Sequence, residues 1–383
     1  MDRRTAYLIL NSLPGIGPGR IRLLTNAFGS PEKIFEASNA ELARVPTVGA
    51  KLAGYLQKWQ DFCNPDKEFR LASDSGATLV TWEDEAYPKQ LREIHDPPVC
   101  LYVRGSLETL RDSSFSLAIV GSRRTTSYGM RMANALASDA AREGWTVVSG
   151  LAHGIDTCAH QAVVRSSGKT IAVLGSGLYY LYPQENRPLA REICEKGGAV
   201  ISEFPMLYRP DRHSFPMRNH IISGLSRGTI VVEAGLQSGS LITAAQALEQ
   251  GRSVFAVPGL ADQPYSQGCH ALIRDGARLI ERFQDVTEEF SLLPDARLAS
   301  RQVQELREAT PEPPLYLKGL EYRIWESLDG GEMTLDELVN ILDEPPSTLL
   351  PVLLVMELKT AIIQKAGRII TRGPHKNIQK SPE

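Results

Sequence analysis

The middle of the chain, from residue 117 to 259, alternates short apolar runs with longer amphipathic segments. The apolar runs occupy residues 117–120, 145–148, 170–174, 199–201, 229–233 and 253–257. Short, nearly continuous apolar runs are typical of strands buried on both faces. The segments between them carry apolar residues at helical spacing, as at Met132, Leu136 and Ala140. The pattern predicts an α/β fold, an open, mainly parallel Rossmann-like sheet with helices on both faces.

Turns rich in glycine and serine follow several of these runs, at residues 121–129, 149–156, 175–177 and 238–240. The carboxyl ends of parallel strands lie at one edge of the sheet, where open α/β sheets bind ligands. Gly121 separates the first strand from a helix whose free N–H groups and dipole favour an anion. Arg123 and Arg124 add positive charge there. We therefore expect a phosphate at this edge.

Three nucleotide or hydrolase motifs are incomplete or misplaced. Residues 175–180 lack the last glycine of G-x-G-x-x-G, because position 180 is tyrosine. The Gly-Lys-Thr at 168–170 lacks the first glycine of a Walker A loop and precedes a strand. The G-x-S-x-G letters at 224–228 also precede a strand, so we interpret Gly228 as a left-handed helix cap. We expect no cofactor.

Several titratable residues have competing interpretations. His153, Cys158 and His160 lack the paired spacing usual for zinc, so we interpret them as loop and core residues and expect no metal. Asp156 precedes a helical run and is expected to be its N-cap. Glu203 and Glu233 each end a strand. They could form an acid/base pair. We favour the alternative that they accept hydrogen bonds from turn N–H groups.

A proline-punctuated segment at 208–220 combines three arginines, two histidines and two aromatic residues. Basic groups with interleaved aromatics can follow a phosphodiester backbone and stack bases. Alternatively, the segment is a solvated loop whose Phe215 packs into the core. The segment alone does not decide between nucleic-acid binding and this structural role.

Taken in order, the motifs over residues 75–285 resemble the DNA-processing protein A family, also called DprA or Smf. The motifs are Gly121-Ser122-Arg123 with Gly129, 149–156 with Ala159-His160, Tyr182-Pro183, Ser202-Glu203, Phe215-Pro216 with Arg218-Asn219, 232–240 with Thr243-Ala244, and Val257-Pro258-Gly259. The set is specific, although each motif alone is weak. Two positions depart from the family pattern: His220 replaces a second arginine, and 268–270 read Gly-Cys-His instead of Gly-x-Asn.

The resemblance implies a protein that binds and protects single-stranded DNA and loads the RecA recombinase onto it during natural transformation or recombination. It implies a homodimer and no enzymatic activity. Carried over by position, the DNA contacts are Gly121, Ser122, Arg123, Arg124, Thr125, Ser149, Gly150, Gly175, Arg212, Phe215, Arg218, Asn219, Ser238, Gly239 and Ser240. The family's dimerisation region falls on an apolar run containing Leu272, Ile273, Leu279 and Ile280.

The flanking segments predict two smaller units. Residues 1–62 contain two helix-hairpin-helix patterns, at 13–17 and 45–49, and resemble a helical sterile-alpha-motif-like domain. These glycine turns either approach phosphates or serve packing alone. The Rossmann-like domain then spans 73–290, a proline-containing linker 291–318, a winged-helix-like domain 319–373, and a tail 374–383. For the last domain we expect either duplex DNA binding or, as the favoured alternative, a protein-contact or regulatory role.

The composition agrees with a cytoplasmic protein that does not enter a membrane. The 383 residues include no apolar run near 18–20 residues, and the five cysteines lack paired spacing. The net charge of −3 requires any DNA-binding charge to be local.

An alternative function is a phosphoribohydrolase-like, nucleotide-processing enzyme. The 232–243 run containing Glu233 resembles such proteins, but their preceding glycine-rich loop is missing.

Overall fold

The computed structural model describes residues 1–291, 317, 319–328, 333–359, 361–365 and 369–372. The chain divides into two compact units, residues 1–293 and 294–383. Most of the predicted linker and all of the predicted tail lie outside the described residues.

The first unit is built on a nine-stranded sheet with the order β1-β2-β6-β5-β4-β3-β7-β8-β9. The strands are β1 Ala77–Thr81, β2 Cys100–Gly105, β3 Ser116–Val120, β4 Thr146–Ser149, β5 Thr170–Val173, β6 Ala199–Ser202, β7 Gly228–Val231, β8 Ser253–Ala256 and β9 Arg278–Leu279. Strands β3 to β9 are parallel, and β1 and β2 extend the sheet in antiparallel pairs. The predicted α/β class and mainly parallel sheet are confirmed.

The strands are buried on both faces because helices cover the sheet. In β3, Leu117 and Ile119 join one apolar core, and Ala118 and Val120 join the opposite one. This division follows from the two-residue period of a strand. The helices of the sheet domain are α7 Lys89–Arg92, α8 Leu107–Arg111, α9 Ser127–Arg142, α10 Ile155–Arg165, α11 Arg187–Glu195, α12 Ser214–Gly224, α13 Gly239–Glu249, α14 Gln267–Arg274 and α15 Phe283–Ser291.

The chain reverses its direction across the sheet at β3. It runs from β3 through β4 and β5 to β6 on one side, then crosses to β7 on the other side of β3. Val120 of β3 lies beside Val231 of β7 in register. A crevice opens at the carboxyl ends of strands where the order reverses. The segments after β3 and β7 therefore border a natural ligand site.

The N-terminal helices pack directly against this domain. They are α1 Arg3–Ser12, α2 Pro18–Phe28, α3 Pro31–Ile34, α4 Asn39–Arg44, α5 Gly49–Gln57 and α6 Pro65–Asp74. Leu8 and Leu24 share one apolar cluster with Tyr102 of β2 and Ala172 of β5. The helices predicted for 1–62 therefore form, but they share a core with the sheet.

One arginine connects the two predicted glycine hairpins. Arg20 donates from Nη1 to the carbonyl of Gly15 and from Nε to that of Thr47, at 2.7 and 3.0 Å. Gly15 and Thr47 both have positive φ, 75° and 70°. Thr47 thus adopts a left-handed conformation at a hairpin position where the first copy has glycine.

The second unit contains three described helices and a small antiparallel sheet. The helices are α16 Leu320–Ser327, α17 Leu335–Leu342 and α18 Pro346–Leu358, and the strands are β10 Met333–Thr334, β11 Ile362–Lys365 and β12 Ile369–Arg372 in the order β10-β12-β11. Thr334 and Glu337 form a capping box at the start of α17. Three helices and a strand hairpin are compatible with the predicted winged-helix-like domain, and that assignment stays a prediction.

Two local predictions are wrong. Gly228 is the first residue of β7 and is not left-handed, because α12 already ends at Gly224 and its C-cap is Leu225. Asp156 is the second residue of α10, whose N-cap is Gly154 with φ of 78°.

In the part of the chain that is described, no single helix meets the length and apolarity needed to cross a membrane. The bent pair Leu335–Leu342 and Pro346–Glu357 meets them by length and composition alone.

Candidate nucleic-acid interface

A cleft of about 820 Å³ lies at the carboxyl ends of β3 and β7, where the strand order reverses. Its lining includes residues 121–124 after β3, Gly235 and residues 237–240 after β7, and seven residues between 210 and 219 around the start of α12. Eleven predicted DNA contacts meet there from three separate parts of the chain. They are Gly121, Ser122, Arg123, Arg124, Arg212, Phe215, Arg218, Asn219, Ser238, Gly239 and Ser240.

An aromatic and cationic cluster forms part of the cleft wall. The guanidinium carbon of Arg123 lies 5.0 Å from the ring centroid of Phe215. The ring of Tyr182 lies 5.6 Å from the Phe215 ring at an angle of 49°. Phe215 is half-buried, and Tyr182 is 46% exposed. The cluster thus offers an aromatic surface beside a positive charge at the solvent edge.

The ring of Phe215 is seated on a glycine. A Cβ built on Gly175 would lie 2.8 Å from Cδ1 of Phe215. Any other residue at this position would push the ring away from the β5 end of the sheet. Phe215 therefore packs inward and also lines the cleft, and its role in base stacking stays a prediction.

Three exposed arginines surround the cleft: Arg123, Arg124 and Arg212. Within the described residues, none of them forms a salt bridge. The four arginines and two aspartates of the lining give it a formal charge of +2. The positive charge is therefore concentrated here, although the whole chain carries −3.

The helix α13 begins at the cleft. Its N-cap Ser238 accepts a hydrogen bond from Ser240 N. Gly239 is exposed, with no atom within 4 Å of the position where its Cβ would be. The positive end of the helix dipole is therefore open to a ligand at this wall of the cleft.

Arg218 lies beneath the cleft and is only 4% exposed, unlike the open phosphate contact expected from the sequence. Its Nη1 donates to the carbonyls of Gly150, at 2.7 Å, and of Val173. Burial lowers the pKa of Arg218 to about 10, which the charge of nearby Asp156 partly opposes. Arg218 therefore joins the ends of β4 and β5 to α12 and supports the cleft floor.

Three other predicted contacts are buried below the surface and are wrong as direct contacts in this conformation. Ser149 is 0% exposed and donates from Oγ to the carbonyl of Ile119 at 2.6 Å. A Cβ on Gly150 would overlap the guanidinium of Arg218. The carbonyl of Gly175 accepts from Ser214 Oγ at 2.5 Å. These positions hold the loops together because their small side chains allow close backbone packing.

A carboxylate occupies the helix N-terminus at which the sequence predicts a phosphate. Glu233 accepts hydrogen bonds from Thr125 Oγ1 at 2.7 Å, from Thr126 N at 3.0 Å, and from Thr126 Oγ1. Gly129 makes room for it, since a Cβ there would overlap the carboxylate. The expected phosphate position at α9 is therefore wrong, and Thr125 binds Glu233 instead. The favoured interpretation of Glu233 as an acceptor for turn N–H groups is confirmed.

The other two acidic candidates behave differently. Asp156 accepts from the N–H groups of Gly150 and Ala152, at 3.1 and 3.4 Å, and burial raises its pKa. Glu203 does not share the hydrogen bonding of Glu233, because its Oε1 is buried without a partner among the described atoms. Burial also raises the pKa of Glu203. The two glutamates therefore differ in hydrogen bonding.

The cleft lining also includes residues absent from the predicted contacts, among them Tyr182, Asp211, Gln237 and Tyr265. Asp211 Oδ1 accepts from the N–H groups of His213 and Ser214, which fixes the start of α12. Tyr182 belongs to the Tyr182-Pro183 motif, so the sequence contained a signal for this residue. Tyr265 comes from the loop after β8, and no local pattern marks it.

No group of three or more histidine, cysteine or acidic side chains suitable for a metal occurs among the residues the structure describes. His160 is fully buried, and its Nδ1 lies 2.7 Å from Thr170 Oγ1. Its interpretation as a core residue is confirmed.

The predicted dimer contacts do not form one exposed surface. Ile280 is 0% exposed and belongs to the apolar core, so its prediction as an interface residue is wrong. Leu279, in the edge strand β9, is 46% exposed. Leu272 and Ile273 are partly buried against the opposite core. Only Leu279 is freely available to a second chain.

The fold and the cleft define the class: a Rossmann-like α/β protein. Its cleft lies where the strand order reverses and is bordered by exposed arginines and aromatic side chains. Residues 78–291 match the family described as DNA recombination-mediator protein A, and residues 7–57 match a SAM-like helix-hairpin-helix tandem. The chain belongs to the first of these families, known as DprA or Smf.

Individual relatives agree with this assignment. The chain is 48% identical to Protein Smf of Escherichia coli over 222 residues, which cover 57% of the chain and 59% of that relative. The structure of DprA from Streptococcus pneumoniae matches with a TM-score of 0.64 and 34% identity, covering 76% of the chain and 98% of the relative. The structure of DprA from Helicobacter pylori, reported for the single-stranded DNA binding mode of that protein, matches with a TM-score of 0.51 and 30% identity. The match covers 56% of the chain and 97% of the relative.

Proposed function

We propose that this protein binds single-stranded DNA in the cleft and acts as a mediator of DNA recombination. The observation that carries the proposal is the cluster of Arg123, Phe215 and Tyr182 at the edge of the cleft. Arginine binds phosphates, and an aromatic face stacks on any base without sequence preference. A single strand offers both groups together, whereas the bases of a duplex are already stacked.

The family membership and the H. pylori relative support this proposal from a different direction. We further propose that the protein protects incoming DNA and loads the RecA recombinase during natural transformation or recombination. The expected test is RecA filament formation on DNA coated with single-strand-binding protein. Faster filament formation with this protein supports loading, and an unchanged rate contradicts it while leaving DNA binding intact.

The test of DNA binding is a titration with fluorescent oligo-dT at several salt concentrations, with duplex DNA as competitor. We expect salt-sensitive binding that duplex displaces poorly. Arg123→Ala is expected to weaken binding and reduce the salt slope by about 0.7, the value for one lost phosphate contact on a single strand. The control is Arg165→Ala, an exposed arginine in the last turn of α10. Equal slopes for Arg123→Ala and wild type would remove Arg123 from the interface.

The second candidate function is a phosphoribohydrolase-like enzyme that uses Glu233. Glu233 is 5% exposed and accepts hydrogen bonds from two threonines, which favours a structural function for this carboxylate. We therefore propose that the protein is not an enzyme. Incubation with nucleoside monophosphates tests this, and release of free base by wild type but not by Glu233→Gln would favour the enzyme.

We also propose that the protein forms a homodimer through the surface that includes Leu279. The exposed apolar side chain on edge strand β9 supports this, because an unpaired edge can associate with another chain. Light scattering at tens of micromolar measures the oligomeric state, and a monomer contradicts the proposal.

A further inference from the structure

A second cavity, of about 480 Å³, is not used by the function proposed above. We call it the arginine pocket. Its lining includes Arg104 from β2, Arg187, Arg191 and Glu195 from α11, and Leu178, Tyr179 and Leu181. Three positive charges and one negative charge leave a formal charge of +2. Its size suits a small ligand such as a nucleotide.

The arginines have no acidic partner to explain their convergence. Arg187 and Arg191 are both exposed and four residues apart, so they share one face of α11. Nε of Arg104 is buried and makes no hydrogen bond in the described structure. No salt bridge to any of the three is present among the described residues. An unmade hydrogen bond of a buried donor is costly, so an acceptor would stabilise the Arg104 side chain.

We propose that the arginine pocket binds a phosphate group, and that this phosphate belongs to the single strand that leaves the cleft. Guanidinium groups bind phosphate through paired hydrogen bonds and remain charged at all physiological pH values. The assignment of the phosphate to DNA rests on the proposed function, whereas phosphate binding itself does not. A free nucleotide carries the same group and is the other source.

The two sites are joined by a short aromatic segment. Tyr182 lines the cleft, and the preceding residue, Leu181, lines the arginine pocket. The segment also carries Tyr179, which is 44% exposed, and Tyr180, whose ring centroid lies 5.1 Å from the guanidinium carbon of Arg209. Tyrosine rings and an arginine along a path between two positive sites suit a strand with alternating bases and phosphates.

The experiment compares wild type with the double variant Arg187→Ala/Arg191→Ala. Both proteins are titrated with oligo-dT of about 4 to about 16 nucleotides, the range of site sizes among single-strand-binding modules. The matched control is Arg142→Ala/Arg165→Ala, which removes two exposed arginines from the last turns of α9 and α10. Thermal unfolding of all variants verifies that the fold is retained.

We expect the double variant to bind the shortest oligomers like wild type and the longer ones more weakly. Its salt slope for long oligomers is expected to fall by about 1.4, twice the value for one phosphate contact. Wild-type affinity and slope at every length, together with no phosphate binding in calorimetry with thymidine monophosphate, would overturn the proposal.

Titrations of the same proteins distinguish DNA from a free nucleotide as the source of the phosphate. If oligo-dT fails to bind wild type at any length, the proposed function fails. Thymidine monophosphate binding that the double variant loses would then still support a phosphate site, with a free nucleotide as its ligand. If Arg123→Ala weakens all lengths while the double variant weakens only long ones, both proposals are supported.

Discussion

Removal of the Phe215 ring tests whether the cleft binds bases by stacking. The Phe215 ring lies 5.0 Å from the Arg123 guanidinium carbon and 5.6 Å from the Tyr182 ring centroid, and Phe215 lines the cleft. In Phe215→Ala, a base loses its aromatic platform and Arg123 loses the ring beneath it. Because the change is local, we expect binding to fall more than stability.

The expected magnitude follows from the two lost interactions. Stacking of one base contributes ~1–3 kcal/mol, so its loss raises Kd by roughly 5- to 150-fold at 1.4 kcal/mol per factor of ten. The contact with Arg123 contributes a further ~0.5–1 kcal/mol at an exposed site. The free energy of unfolding is expected to fall by less than the ~3–5 kcal/mol of a core phenylalanine, because Phe215 is only half-buried.

Fluorescence anisotropy with oligo-dT measures Kd, and urea unfolding measures stability. Phe215→Leu keeps an apolar side chain without an aromatic face, and Phe215→Trp keeps the face. We expect Phe215→Leu to bind as weakly as Phe215→Ala and Phe215→Trp to bind well. Wild-type affinity in both Phe215→Ala and Phe215→Leu would refute base stacking and leave Phe215 with a packing role alone.

Three further predictions concern the core and the sheet edge. Burial lowers the pKa of His160 from 6.5 to about 3, so the unfolded chain binds the proton first and stability falls as the pH drops below about 6.5. The loss of unfolding free energy approaches roughly 4–5 kcal/mol near pH 3, at about 1.4 kcal/mol per pKa unit. In urea unfolding, the stability of His160→Gln should decline less steeply with falling pH than that of wild type. An equal decline would contradict the assignment to His160. Ile280→Ala is expected to cost ~2–5 kcal/mol because the residue is fully buried. Leu279→Arg should leave stability nearly unchanged yet abolish the proposed dimer in light scattering, and a retained dimer would place the interface elsewhere.

The parallel sheet and most of the cleft were predictable from the chain itself. Each strand from β3 to β8 begins within two residues of its predicted start, because continuous apolar runs mark strands buried on both faces. The turns after β3 and β7 meet at the reversal of strand order because parallel strands end at one edge. This places 121–124 and 238–240 around a common cleft.

Which polar groups face the ligand was decided by tertiary contacts alone. Arg218 binds a carbonyl 68 residues away, and Glu233 accepts from Thr126, which is 107 residues away. Local patterns report whether a segment is strand, helix or turn. They do not report which distant carbonyl or N–H group must be satisfied when loops are buried together. The sequence therefore determined where the cleft lies, and packing determined that Arg218 and Glu233 support it from below, because their charged groups satisfy buried backbone and hydroxyl groups.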